Sequence, residues 1–213
     1  MVPLILIPLV LAMIDFGMLL RDHVAATTLA RAGARVASSE PRFGTINATF
    51  GHNGSGTVSS FAQDAADAME RAGGALPRDA IDEIWVYLAN PKGYPSQSQS
   101  WRTDTTNSFA SCPPSTCVKY RWNNGSPGRF TYISGLWDPQ NINACQASTD
   151  AQSVGVHLKA HHNNLFRLFG GATVGLTART IMKFEPRQAT DPADPTMLAT
   201  TTKAGVFAGC KHA

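Results

Sequence analysis

The sequence carries little charge, and no part of it is strongly basic. Charged residues make up 15% of its 213 residues, with 18 lysines and arginines against 15 aspartates and glutamates. Proteins that bind nucleic acids usually gather Lys and Arg into a patch or a stripe, so this even distribution argues against that class. We therefore expect no nucleic acid among the partners.

Recognised catalytic motifs are also missing. Neither the G-x-S-x-G element of hydrolases nor the H-E-x-x-H element of zinc proteases occurs in the chain. The glycine-rich run GHNGSG at 51–56 is not followed by the lysine of a phosphate-binding loop, and we interpret it as a plain loop. The sequence predicts no enzyme, no cofactor and no small-molecule substrate.

The spacing of a standard metal site is likewise missing. A soft-metal site would have to combine His157, His161 and His162 with Cys112 and Cys117, and this arrangement matches no zinc finger. On a strand, the first two histidines lie opposite the apolar residues and should face solvent. We expect no bound metal.

The chain has only four cysteines, all beyond its apolar N-terminal part: Cys112, Cys117, Cys145 and Cys210. An even number favours two disulfides in an oxidising compartment, with three possible pairings. We favour Cys112 with Cys117, which closes CPPSTC, and Cys145 with Cys210, which would hold the C-terminal tail.

One long apolar run opens the chain. From Val2 to Leu20 every residue is apolar, glycine or proline except Asp15, and 19 residues at about 1.5 Å each approach the hydrocarbon thickness of a bilayer. A cleaved signal would carry a basic region before this run and small residues after it, whereas Met1 leads straight into it and RDH follows at 21–23. We predict a retained membrane anchor.

Two signals disagree about the orientation of that anchor. Arg21, Arg31 and Arg35 follow the apolar run, which by the positive-inside rule places the rest of the chain in the cytoplasm. The cysteines favour an oxidising space outside. We give the cysteines more weight and predict a head outside the cytoplasmic membrane.

The helical pattern continues beyond the apolar run. Residues 24–37 are rich in alanine and lack proline, with Arg31 and Arg35 four apart on one face and Gly33 between them. This predicts one helix from about Pro3 to Ser38, and the proline at position 41 cannot continue it. The small residues of this half predict an assembly surface, on which copies of the chain or partner helices pack closely.

The rest of the chain predicts a second helix and several strands. SSFAQDAADAMERAGG has an apolar face and a capping box formed by Ser60 and Gln63. Alternating patterns predict strands in IDEIWVYL, SVGVHLKAH and TVGLTARTIMKF, and a hairpin around Asn124-Gly125. Most of the aromatic residues on these strands are expected in the core rather than on an adhesive face.

These elements predict an α+β fold: a long N-terminal membrane-spanning and assembly helix, then a helix packed on an antiparallel β-sheet. We divide the chain into this helix at 1–40, an extracytoplasmic head at 41–184 and an irregular tail at 185–213.

The run LILIPLVLAMIDFGMLLRDHVAATTLARAGARVA resembles the N-terminal region of TadE-like proteins, the pilin-like components of tight-adherence (Flp) pili. The resemblance rests on an acidic residue followed by Phe-Gly, here Asp15, Phe16 and Gly17, and on the alanine-rich ARAGAR at 30–35. It covers about the first 40 residues. It implies a pilin-like minor subunit of a type IV pilus, with other pilin-like subunits and the pilus assembly platform as partners.

Asp15 is the residue in the apolar run with the clearest potential role. An ionisable group in a membrane segment costs a few kcal/mol unless it is paired, so it is a functional candidate by default. One hypothesis pairs Asp15 with a cation of a neighbouring subunit or of the platform, and the other lets it reach interfacial water. Arg31 and Arg35 are interpreted as a solvated face or as contacts for anionic lipid or acidic partners.

Overall fold

A computed structural model describes residues 2–39, 46–47, 58–72, 76–125, 129–142, 144, 151–164 and 173–185. The first helix, α1, extends from Val2 to Ser39, which confirms the prediction of one continuous helix. Its last turn is closed by local bonds, because the hydroxyls of Ser38 and Ser39 donate to the carbonyls of Arg35 and Val36, each at 2.9 Å.

The second helix, α2 (Ser60–Arg71), follows a short ladder between β1 (Ile46–Asn47) and β2 (Val58–Ser59). Its apolar face is buried as predicted, but the prediction of a capping box formed by Ser60 and Gln63 is wrong. Ser59 occupies the N-cap position without capping the helix, because its hydroxyl donates to the carbonyl of Trp137. The Gln63 amide donates to Asp67 at 2.8 Å. A tertiary contact therefore replaces the local cap.

Five strands form one antiparallel sheet: β3 (Ile81–Leu88), β4 (Cys117–Asn123), β5 (Arg129–Ser134), β6 (Ser153–Asn163) and β7 (Thr173–Lys183). Their order across the sheet is β5-β4-β3-β6-β7. The pairing of β4 with β5 confirms the hairpin predicted around Asn124-Gly125. The longest ladder joins β6 to β7 through eleven consecutive residue pairs, from Ser153 with Lys183 to Asn163 with Thr173.

Alternation along the strands gives the sheet two different faces. Ile84, Val86 and Leu88 point to the inner face, where α1 packs on β6 and β7 and α2 packs on β3 and β5. Trp85 and Tyr87 point to the outer face, where Phe109 of the connection between β3 and β4 packs on them. The α+β architecture is thus a sheet with helices on one side and a folded loop on the other.

The alanine-rich half of α1 belongs to the core of the head. The buried residues of α1 include Ala26, Ala30, Ala34 and Ala37. A Cβ on Gly33 would lie 2.9 Å from Met69 Cγ, so glycine lets α1 and α2 approach closely here. The C-terminal half of α1 therefore supplies one wall of the head.

Two of the predictions lie outside the described residues. They are the bridge between Cys145 and Cys210 and the irregular tail, of which only Glu185 is described.

Candidate assembly surface on the N-terminal helix

Large apolar side chains are exposed almost exclusively on α1. Of the eleven that are exposed within the described residues, nine lie between positions 6 and 24. Six of them recur every three or four residues and so form one face, which we call the exposed stripe: Leu6, Leu9, Met13, Phe16, Leu20 and Val24. Soluble monomers rarely leave a continuous apolar surface of this length uncovered.

Polar residues extend the exposed stripe toward the C-terminal end of α1. Arg31 and Arg35 are exposed, and the helical period places them in line with Met13 and Leu20. Gly17 lies beside the exposed stripe, and a Cβ added there would meet nothing within 4 Å. The outward face of α1 therefore changes from apolar to basic along its length.

The opposite face of α1 carries two buried carboxylates. Asp15 and Asp22 are seven residues apart, which is two helical turns, and both side chains are buried. His162 of β6 lies against them, with Nδ1 2.7 Å from Asp22 Oδ2 and Nε2 3.9 Å from Asp15 Oδ1. Arg21 also reaches Asp22 at 3.4 Å.

This placement differs from both hypotheses for Asp15. The carboxylate, 2% exposed, contacts the head of its own chain instead of open water. The contact joins a helix to a strand that is distant in sequence, and no local pattern could predict it. Any pairing of Asp15 with a neighbouring subunit would have to replace these contacts.

The small residues of α1 have partners within the chain. Gly33 packs on Met69, and Ala26, Ala30 and Ala34 are fully buried in the core of the head. The close packing at these residues is therefore within the chain, between α1 and the rest of the head, whereas the sequence predicted it between α1 and other molecules. The face left for other molecules is the exposed stripe with Arg31 and Arg35.

Cys112 and Cys117 form the predicted disulfide, with their Cα atoms 5.3 Å apart. The histidines are dispersed around the sheet. His157 lies beneath the loop on the outer face, His161 contacts Asp82 at 2.9 Å, and His162 belongs to the inner face. No cluster of metal-ligating side chains is present in the described part of the chain.

The expectation that His157 faces solvent is wrong. The residue is 3% exposed, and its ring stacks on Phe109 with centroids 3.8 Å apart. The alternation of β6 places His157 on the outer face as predicted, but residues 90–116 fold over that face. His161 is only partly covered.

An open polar surface lies near the start of β3. A cleft of about 440 Å³ is lined by Asp79, Ile81, Asp82, Glu83, Arg121, Trp122, Asn124 and Lys159. Burial raises the pKa of Glu83, but the Trp85 indole at 2.9 Å and the cations of Lys119, Lys159 and Arg121 outweigh it and hold the pKa below its ordinary value.

No known protein family, curated protein or solved structure matches this chain. Within the residues that the structure describes, no helix combines the length and the apolar character needed to cross a membrane.

Proposed function

We propose that the protein is a pilin-like minor subunit of a tight-adherence pilus, which anchors and assembles through α1 and carries a disulfide-bonded head. The observation that supports this best is the exposed stripe on a helix whose other face is built into the head. Such a helix holds the head firmly while it offers an apolar surface to lipid or to other helices.

In this proposal, the exposed stripe in the first half of α1 meets lipid or other helices. Its sequence is apolar from Val2 to Leu20 apart from Asp15, and the apolar side chains described there are largely exposed. Full burial of a leucine or isoleucine side chain contributes roughly 1.5–3 kcal/mol, so a few such residues suffice to hold the helix in lipid or in a bundle of helices.

The second half of α1 then directs assembly. Arg31 and Arg35 continue the exposed stripe, where they would meet anionic lipid headgroups or acidic residues of the neighbouring subunit or platform. Phe16 lies in the middle of the exposed stripe with Gly17 beside it, where a neighbouring helix can approach Gly17 closely.

The disulfide supports a head outside the cytoplasmic membrane. Disulfides persist in oxidising spaces and are rare in the cytosol. The Cys112–Cys117 bridge fastens the loop on the outer face of the sheet, and it would form and persist in such a space.

A second candidate is a membrane-tethered binding protein of the cell surface that does not enter a filament. The cleft near Glu83 favours it, because carboxylates, cations, an amide and an indole meet at one open surface. The two candidates differ in whether the protein leaves the membrane as part of a filament.

The deciding experiment expresses the gene with its full upstream region, with the prepilin peptidase present or deleted. The N-terminus is then sequenced from the membrane and sheared-pilus fractions. We expect a peptidase-dependent N-terminus and protein in the sheared fraction. Protein that is confined to the membrane in both strains would favour the tethered binding protein, and protein free of both fractions would contradict both candidates.

A further inference from the structure

The loop at 90–116, here called the covering loop, closes the outer face of the sheet through one aromatic side chain. Phe109 stacks on His157 with an interplanar angle of 9° and packs edge-on against Trp85 and Tyr87, with centroid distances of 6.2 and 5.8 Å. Gly93, whose φ is +81°, lets the start of the loop lie against Ile181. Phe109 is therefore the main apolar side chain that covers the outer face of the sheet.

His157 completes this closure as an uncharged ring. It is almost fully buried, and neither ring nitrogen has a hydrogen-bond partner among the described residues. The imidazole acts as an aromatic surface between Phe109 and Trp85, whose ring lies edge-on at 5.7 Å. A proton on this ring would place a charge in a site with no acceptor for it.

The charged groups around His157 oppose that proton. Lys159 lies two residues away on β6, and Arg179 of β7 is the partner of His157 in the β6–β7 ladder. The Arg179 guanidinium is 6.0 Å from the centre of the Phe109 ring. From β4, Lys119 lies over Trp85 at 4.7 Å. From β3, Glu83 is the nearby anion, and it already contacts three cations.

The pKa of His157 follows from this environment. Burial lowers it most, Lys159 and Arg179 lower it further, Glu83 raises it, and the result is about 4. The loop's Tyr94 lies beneath Arg179. Burial raises the pKa of the neighbouring Tyr87, which therefore stays neutral in acidic and neutral solution.

We propose that the covering loop is an acid-operated strap, in which protonation of His157 ends the stack with Phe109 and opens the outer face. The proton bound in the open state sits on an exposed imidazole, and deprotonation restores the stack. Opening uncovers Trp85 and Tyr87 among Lys119, Lys159 and Arg179, which together form an aromatic and cationic surface.

The loop's own carboxylate does not produce this response at mild acidity. Asp104 accepts bonds from the Ser96 hydroxyl at 3.0 Å and the Thr106 amide at 2.8 Å. Although burial raises its pKa, these bonds and one from the Gln97 amide lower it to about 2. Asp104 therefore keeps its charge at pH 4 and does not itself cause the opening.

The disulfide limits how far the strap moves. Cys112, which follows Phe109 by only three residues, is bonded to Cys117 at the start of β4. The end of the loop thus stays on the sheet, and Phe109 separates from His157 as a flap hinged at the disulfide.

Hydrogen exchange followed by mass spectrometry tests the strap on the full chain in detergent. Protection at 104–111, corrected for intrinsic exchange rates, is compared between pH 7.5 and pH 4. Because the ordinary histidine pKa of the open state is near 6.5 and that of the closed state is about 4, the opening equilibrium should rise about tenfold per pH unit between these values, roughly 150-fold by pH 4. Protection within β3 and β6 should persist, which separates opening from unfolding.

Two variants assign the response to the ring. His157→Phe keeps an aromatic surface that cannot be charged, so its loop should stay protected at pH 4. Phe109→Ala should be open already at pH 7.5. His161→Gln, on the same strand and partly exposed, should behave as the native chain does.

Histidine NMR of the native chain provides a test that needs no variant. The His157 titration should coincide with the loss of protection in the loop. An unchanged loop at pH 4, an equal acid response in His157→Phe, or a His157 titration separate from loop opening would each overturn the proposal.

Discussion

At the scale of single residues, two neighbouring histidines form a matched pair. His162 lies 2.7 Å from the buried Asp22, and His161 lies 2.9 Å from the half-exposed Asp82. We expect His162→Ala to lower the free energy of unfolding by about 3 kcal/mol, because it leaves buried carboxylates without their imidazole. His161→Ala should cost at most about 1 kcal/mol.

Urea unfolding of the full chain in detergent measures both histidine variants. Equal losses would contradict the buried cluster as a source of stability. His162→Gln, which keeps a donor at the site, should recover part of the loss.

Two glycines of α1 form a second matched pair. Gly33→Val should cost about 1–3 kcal/mol, because its side chain would collide with Met69 of α2. Gly17→Ala should be neutral or stabilise by up to about 1 kcal/mol, because the site is open and alanine favours a helix. Thermal unfolding separates the two, and a destabilised Gly17→Ala would mean that Gly17 packs on something in the folded state.

At the scale of elements, the exposed stripe can be altered without touching the head. Met13→Ser, Leu20→Ser and Val24→Ser combined should reduce recovery in the membrane and sheared-pilus fractions, because they remove apolar surface. The thermal unfolding of the head should change little. Ile133→Ser is the control, since it removes an exposed apolar side chain from β5. Unchanged recovery of the triple variant would argue against the exposed stripe as the assembly surface.

The covering loop depends on its bridge. Replacing Cys112 and Cys117 with alanine should lower stability by about 2 kcal/mol, as expected for a short closed loop. Exchange at 104–111 should rise at pH 7.5 while the exchange of β6 and β7 stays slow. A loop that remains equally protected would show that Phe109 alone is sufficient to hold it.

The elements with regular periods could be predicted from the sequence. The limits of α1, the strands and the two faces of β3 follow from hydrophobic spacing and from proline at position 41. The covering loop could not, because its fold depends on side-chain contacts such as Asn90 with Thr106 and Asp104 with Ser96, which have no period. For the same reason, no sequence pattern indicates the burial of His157 or the pairing of Asp22 with His162.

At the scale of the whole molecule, stability should fall as the solution becomes acidic, in two stages. His157 has a lower pKa in the fold than in the unfolded chain, so the unfolded chain binds more protons between pH 6.5 and 4, at a cost of about 3 kcal/mol. Below that range, Asp104 and Glu83 become protonated, and the fold also loses the stability that their lowered pKa values contribute at higher pH.

Alkaline solution acts through different groups. Burial raises the pKa of Tyr87 and Tyr120, so the stability that depends on their neutral form is lost above pH 10. Urea midpoints across the pH range should form a plateau between about 6.5 and 10. His157→Phe should remove the first acid stage alone, and a midpoint that rises on acidification would contradict this account.

The ladder between β6 and β7 has a mechanical consequence. Helix α1 meets it near one end, where Asp22 contacts His162, and near the other end, where the Glu185 amide donates to the Ser38 carbonyl at 2.9 Å. A pull along α1 is therefore a pull along the strands, and the eleven residue pairs of the ladder share the load in shear instead of opening one at a time. A head joined to its helix in this way is built to bear tension.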